Sequence, residues 1–228
     1  MPKERFYSPS SLIGEKEIVL ADQEYHHLLH VMRMKEGEEV ELVNGQGSFA
    51  KGIITHLGKK QGVITLHEAF NEDAPQKNLI LYQAIPRIQR LDFIVEKGTE
   101  LGMTHLYLFP GEKSERKDLT PKHLEGLKAQ AIAALKQSGR LWLPTIELRP
   151  PIKQWTSLPS PTFFGDLAAT TPLTPQLSSA AVCIGPESGF SFAEITHLKE
   201  IGAQGKFLHA NVLRTDTAAL AALVILSQ

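Results

Sequence analysis

Ile184-Gly185-Pro186-Glu187-Ser188-Gly189-Phe190-Ser191 and, further on, Asn211-Val212-Leu213-Arg214-Thr215-Asp216-Thr217 decide how this chain is read. Each stretch follows a short apolar run, Val182-Cys183-Ile184 before the first and Phe207-Leu208 before the second. Pro186 and two glycines keep the first loop out of regular structure. Ser191 and Glu194 then have the S-x-x-E spacing of a capping box, in which the serine caps the helix and the glutamate reaches back. In the second copy Thr215-Asp216-Thr217 opens an Ala/Leu-rich helix. A strand end handed to a helix start presents unpaired N–H groups and the positive end of the helix dipole. Two such corners side by side, at the carboxyl ends of parallel strands, make a small-molecule crevice. We expect the active site there.

Upstream, the pattern changes once. Residues 1–70 read as short β-branched strands at Ile18–Leu20, Glu39–Val43, Gly52–Thr55 and Gly62–Leu66, with Asn44-Gly45-Gln46-Gly47 as a hairpin signal. One helix interrupts them, capped by Asp22, with Tyr25, Leu28, Leu29 and Met32 at helical spacing. These features predict a small β-barrel too slight to hold much of an active site. The polar, turn-rich stretch 71–77 marks a boundary. Beyond it, strands at Leu79–Ala84, His105–Phe109, Thr162–Phe164, Val182–Ile184 and Lys206–Leu208 alternate with helices at Leu91–Leu101 and Pro121–Gln137. That alternation predicts an α/β domain with a mostly parallel sheet.

Charge is uneven although the net is −1. Acidic residues exceed basic ones by 4 in residues 1–75, and the excess reverses to +4 in 76–143. An anionic partner is therefore expected at the middle segment, without the strong overall positive charge of a protein that coats nucleic acid. No basic leader with an apolar core opens the sequence, and no apolar run nears the ~18 residues of a membrane span. The single cysteine, Cys183, sits in an apolar strand and reads as core packing in a reducing cytoplasm. His26 and His30 are four apart on the first helix, but no third ligand accompanies them, so no metal is expected.

The common nucleotide signatures are absent: there is neither a G-x-x-x-x-G-K-[ST] loop nor a G-x-G-x-x-G after a strand. A hydrolase elbow at Ser188 would need glycine where Pro186 stands. The two loop motifs instead resemble the paired signature of the SPOUT-class ribosomal RNA methyltransferases, and more narrowly the 16S rRNA uridine-N3 methyltransferase family. Other stretches are similar to that family in order: Arg5-Phe6, His27 to Arg33, Glu96 to Gly102, Ser114-Glu115-Arg116 and Gln137 to Arg140. Three positions depart from its usual pattern. Ser188 replaces a second glycine, His209-Ala210 a Gly-Pro pair, and Lys136 a glutamate.

The resemblance implies a PUA-like RNA-binding barrel over residues 1–72 and a SPOUT α/β domain, knotted as a trefoil, over 76–228. It implies S-adenosylmethionine as cofactor, walled by Gly165, Ile184, Gly185, Pro186, Glu187, Gly189, Leu208, Leu213, Thr215 and Thr217. Arg214 would face the reacting base, and Arg5, Arg33, Arg116 and Arg140 would contact 16S rRNA in the small ribosomal subunit. A cytoplasmic homodimer is implied as well. The reading from a different class is an RNA-binding or ribosome-assembly module without chemistry, and a further alternative is a SPOUT methyltransferase acting on another RNA nucleotide.

Overall fold

The computed structural model describes residues 5–228, which fall into two compact units. One gathers the chain up to Ala74 together with Ile132–Leu143, and the other holds Pro75–Ala131 and Pro144–Gln228. The return of 132–143 differs from a division at residues 72 and 76. Its cause is local packing, because Leu135 and Leu141 share a buried cluster with Val43 and Phe49.

In the first unit, strands β1 (Arg5–Tyr7), β2 (Glu17–Ala21), β3 (Glu39–Val43), β4 (Ser48–Leu57) and β5 (Gln61–Asn71) lie in the order β1-β3-β4-β5-β2. Only the β1–β3 pair is parallel. The expected barrel is a curled half-barrel whose edges are β1 and β2. The sidedness of β2 follows from its alternation: Ile18 and Leu20 point into the core and Val19 points out. The hairpin at Asn44–Gly47 joins β3 to β4. There Asn44 Oδ1 accepts from the N–H groups of Gln46 and Ser48 at 2.8 and 3.0 Å.

Helix α1 (Asp22–His26) runs on as a π-helical turn over His27–Val31, burying Tyr25 and Leu28, with Leu29 and Met32 packed on the same core. Asp22 does not cap it. The N-cap position is Ala21, no side chain caps the helix, and Asp22 itself has φ +50°. The carboxylate that does work here is Glu24, which accepts from Tyr7 N at 2.9 Å and pairs with Lys136 at 2.6 Å.

The second unit is a six-stranded, all-parallel sheet in the order β11-β9-β10-β6-β7-β8. Its strands are β6 (Leu79–Ala84), β7 (His105–Phe109), β8 (Thr145–Leu148), β9 (Thr162–Gly165), β10 (Ala180–Ile184) and β11 (Gln204–Lys206). Helices α2 (Ile88–Glu100), α4 (Phe192–Glu200) and α5 (Thr215–Ser227) belong to it; α3 (Pro121–Ser138) is the longest helix of the chain. Every residue of β10 is buried, as a central parallel strand requires. On one face of the sheet α5 packs against α2, β6 and β10. On the other, Tyr82, Phe109, Trp155, Phe164, Cys183 and Phe190 share one core with Leu198 of α4. Burial pushes the Cys183 thiol well above its ordinary value, which leaves it an inert packing group.

The expected last strand is shifted. The ladder covers Gln204–Lys206, and Phe207 makes only a single parallel bridge to Pro172. Among the described residues no helix is long and apolar enough to cross a membrane.

Strand order fixes where a ligand can sit. From β6 the chain moves to β7 on one side, while from β10 it moves to β11 beyond β9 on the other. The carboxyl ends of β6 and β10, with Gln83 and Ile184 in register, therefore form a switch point where the outgoing loops part and leave a crevice.

Gly47 shows how tightly the first unit is closed. It has φ +91°, and a Cβ there would stand 2.5 Å from the Glu72 carbonyl and 2.6 Å from the Trp142 ring. Gly47→Ala is expected to destabilise the protein by roughly 2 kcal/mol or more, read as a lowered urea midpoint at unchanged slope.

Candidate active site

A cavity of about 290 Å³ opens at this switch point. Its walls come from the ends of β9 and β10, the loop 185–190, and the segment 207–215. Gly165, Ile184, Gly185, Pro186, Glu187, Gly189, Leu208, Leu213 and Thr215 all line it. Thr217 does not: it lies further along α5 and is exposed, because Thr215 already turns into the sheet at the first helical position. Arg214 is the N-cap residue of α5, exposed, and stands between the lining residues Leu213 and Thr215 without itself lining the cavity.

The first corner is set by backbone conformation. Gly189 takes φ +70° and its N–H closes a turn on the Pro186 carbonyl at 2.8 Å. A Cβ on Gly185 would lie 3.1 Å from the Phe190 nitrogen, so the loop folds back closely on this position and a side chain there would push it outward by a few tenths of an ångström. Helix α4 begins with the complete capping box: Glu194 N–H donates to Ser191 Oγ at 3.1 Å, and Ser191 N–H donates to Glu194 Oε2 at 2.8 Å. The second oxygen of Glu194, which is 1 % exposed, accepts from Glu112 N–H at 2.9 Å. The charged loop 111–117 is thereby latched to the first corner. Two more bonds complete the latch, from Ser188 Oγ to the Lys113 carbonyl and from Lys113 Nζ to the Phe190 carbonyl, each 3.0 Å. Ser188, a departure from the family pattern, thus has a defined partner.

The second corner is tied to the first. Thr215 Oγ1 donates to the Gly185 carbonyl at 2.7 Å and accepts from Gln83 Nε2 at 3.0 Å. Apolar side chains of Ile184, Leu208, Leu213 and Ala218 form much of the wall, and its fixed charges are Asp166 and Glu187, with no lysine or arginine among them. Such a cavity suits a flat apolar group carrying positive charge.

The four candidate RNA-contact arginines differ in their surroundings. Arg5 is turned inward, with Nε and Nη2 donating to Glu41 Oε2 at 3.0 and 2.9 Å and a side chain only 11 % exposed. Its guanidinium also stands over the Phe49 ring. Arg140 is half-buried, and desolvation holds its pKa below the usual arginine value. Arg33 is exposed, with φ +56°. These three belong to the first unit, whereas Arg116 belongs to the second, in the charged loop beside Arg87 and Lys117. His26 and His30 lie ring to ring with centroids 4.9 Å apart, and among the described residues no group of three or more potential metal ligands forms.

Sequence reasoning missed Asp166 in the wall and Gln83 and Arg90 behind it. Asp166 follows β9, a third strand end at the same edge of the sheet. Gln83 is the one polar side chain in the otherwise buried run Leu81–Ala84, a signal visible in the sequence.

Residues 72–227 match the RNA methyltransferase domain family, and residues 20–66 match the PUA domain of RNA methyltransferases. The chain is similar to the ribosomal RNA small subunit methyltransferase E of Bacillus subtilis, at 27 % identity over 91 % of this chain and 88 % of that protein. It is also similar to the protein of that name from Aquifex aeolicus, at 26 % identity over 92 % of this chain and 93 % of the other. A crystal structure of such a protein from Neisseria gonorrhoeae, bound to S-adenosylmethionine, superposes with a TM-score of 0.86 at 26 % identity, covering 97 % of this chain and 95 % of that one. A methyltransferase from Legionella pneumophila, also with bound S-adenosylmethionine, gives 0.84 at 26 % identity, covering 98 % and 96 %.

Replacing Glu194 by alanine removes the bonds it accepts from Ser191 N–H and Glu112 N–H together, and leaves Ser191 Oγ capping the backbone N–H of residue 194. A loss of about 1–2 kcal/mol is expected in denaturant unfolding, with Ser191→Ala costing less because it leaves the Glu112 bond in place.

Proposed function

Because the chain belongs to the RNA methyltransferase domain family, we propose that it transfers a methyl group from S-adenosylmethionine to N3 of a uridine in 16S ribosomal RNA, on the assembled small subunit. The observation that carries this reading is the meeting of both loop motifs in one cavity whose fixed charges are all acidic. S-adenosylmethionine fits that cavity. Ile184, Leu208 and Leu213 offer an apolar slot for its adenine. Gly165, Gly185 and Gly189 keep backbone within reach of the ligand, and Asp166 and Glu187 complement a cation.

When bound, the cofactor supplies a methyl group on a sulfonium, already activated toward a nucleophile. The protein's remaining tasks are positioning and charge. Holding donor and base in line removes much of the entropic barrier. N3 of uracil carries a proton at neutral pH, and its lone pair becomes available only when that proton is released to solvent water; the N–C bond then forms as the S–C bond to the methyl breaks, and the neutral thioether leaves. Arg214 is exposed at the cavity's edge, where its guanidinium stabilises negative charge on the O2 or O4 oxygen of the base. Each pKa unit of lowering corresponds to about 1.4 kcal/mol. Arginine suits this role because it stays charged at any working pH.

RNA is held by the first unit through Arg33 and the half-buried Arg140, and by Arg116 of the charged loop; Arg5 braces β1 against Glu41. The active form is a cytoplasmic homodimer. Leu167 and Val212, 75 % and 77 % exposed beside the cavity, are apolar surface that a second copy would cover. The trefoil knot arises where the chain after β11 passes the loop following β9. In support, Phe207 N–H bonds the Thr171 carbonyl and Leu173 N–H bonds the Phe207 carbonyl, both at 2.9 Å, before Thr215 reaches Gly185.

S-adenosylmethionine or its demethylated product is expected to raise the melting temperature. Arg214→Ala should cut methyl transfer to small-subunit RNA by about 10²–10³ while cofactor affinity stays near wild type. Mass spectrometry of nuclease digests should place the methyl on uridine N3, with faster reaction on 30S particles than on protein-free RNA. Full turnover by the Arg214 variant removes that residue from the mechanism, and a methyl on any other atom overturns the assigned product.

A further inference from the structure

Two side chains outside the loop motifs each touch both corners of the crevice. Gln83, on β6, is completely buried, with Nε2 2.9 Å from the Ala84 carbonyl, 3.0 Å from Thr215 Oγ1 and 3.5 Å from the Gly185 carbonyl. The Thr215 hydroxyl proton is directed at Gly185, so this oxygen accepts from Gln83 and the orientation of the amide is fixed. Oε1 is left without a hydrogen-bond partner. A buried amide carries a desolvation cost that a leucine at the same place would avoid. Packing alone therefore gives no reason for glutamine in the middle of an apolar strand.

Arg90, in the first turn of α2, repeats the arrangement nearer the surface. Its Nε lies 3.5 Å from Glu187 Oε1 and its Nη1 3.6 Å from Asp216 Oδ1, with the side chain 24 % exposed. Gln83 thus reaches residues 185 and 215 from beneath, and Arg90 reaches 187 and 216 from above. Neither lines the cavity.

We infer that Gln83 and Arg90 are positioning residues, a two-point brace from the β6–α2 unit that fixes the separation of the two corners and so the placement of the methyl donor relative to Arg214. The inference rests on the methyltransferase reading above and names residues that neither loop motif contains. Gln83 holds the floor, through Gly185 and Thr215, both in the cavity wall; its loss loosens the donor site itself. Arg90 holds Glu187 against Asp216, two residues past Arg214. Its loss lets the N-cap of α5 drift, and the arginine drifts with it. The two substitutions should therefore separate kinetically.

The test measures donor affinity by calorimetry, single-turnover methyl transfer and melting temperature on the full chain. Gln83→Met keeps length and removes the hydrogen bonds; about a tenfold rise in the S-adenosylmethionine Kd is expected. Arg90→Ala should lower the transfer rate about tenfold with a smaller change in Kd, and Arg90→Lys should recover part of that rate by keeping one charge contact. Leu81→Ala, a fully buried neighbour on β6, serves as the stability control and should lower the melting temperature while keeping the wild-type Kd. Wild-type Kd and rate in both Gln83→Met and Arg90→Ala overturn the brace. So does a Kd in Leu81→Ala that rises as much as in Gln83→Met, since generic destabilisation would then suffice. Failure of the wild-type chain to bind S-adenosylmethionine overturns the methyl-donor reading, and this inference with it, and is recognised before any variant is compared.

Discussion

The hydrogen bond from Thr215 Oγ1 to the Gly185 carbonyl, 2.7 Å long, joins two segments thirty residues apart and makes one site out of two loops. Each loop alone is only a strand end followed by a helix. The bond becomes possible because β6 and β10 are neighbours whose connections leave in opposite directions, so that their carboxyl ends stay uncovered. Everything near it serves the same closure. The buried Glu194 secures the first helix start and the charged loop at once, and α5 packs on β6 and β10 so that Thr215 arrives at the end of the sheet. Net stabilisation from one such bond is modest, about 1 kcal/mol. Its importance is geometric, since the cavity walls belong to both partners.

Much of this was legible in the sequence, for reasons that differ by element. The bounds of β3, β6 and β7 follow from short apolar runs between turn residues, and the start of α4 follows from its capping box. β1 and β8 were not legible. β1 has three residues, too few to show a period, and β8 is an edge strand with little burial to impose one. Asp22 misled because an acidic residue before an apolar period is the usual mark of a cap. Here the chain enters α1 through a left-handed residue, no side chain caps the helix, and Glu24 accepts from Tyr7 N–H of β1. Of the wall residues inferred from family resemblance, nine line the cavity, and Thr217 falls outside it because two residues, about half a helical turn, carry it to the opposite face of α5 from Thr215. The brace residues escaped because sequence motifs record what faces a ligand, whereas Gln83 and Arg90 stand behind those residues.

The departures from the family pattern have local physical accounts in two of three cases. Ser188 gives its hydroxyl to the Lys113 carbonyl, a contact glycine could not make. Lys136 forms a partly buried pair with Glu24 inside the first unit, so reversal of charge at that position is matched by an acidic partner. The pair also ties the end of α3 to α1, which helps explain why Ile132–Leu143 belongs with the half-barrel. His209 lines the cavity, and its ring nitrogen accepts from Asn211 N–H at 3.0 Å, but no contact accounts for its place in a Gly-Pro pair's stead.

The Thr215 closure also bears on biosynthesis. Seven of the cavity's eighteen wall residues lie in 207–215, after every strand of the sheet has been made. A nascent polypeptide still lacking that segment has the sheet but no complete pocket, so translation must run into α5 before the enzyme can hold its ligand. Catalytic competence is in this sense a late event in the making of each molecule, following that of the whole sheet.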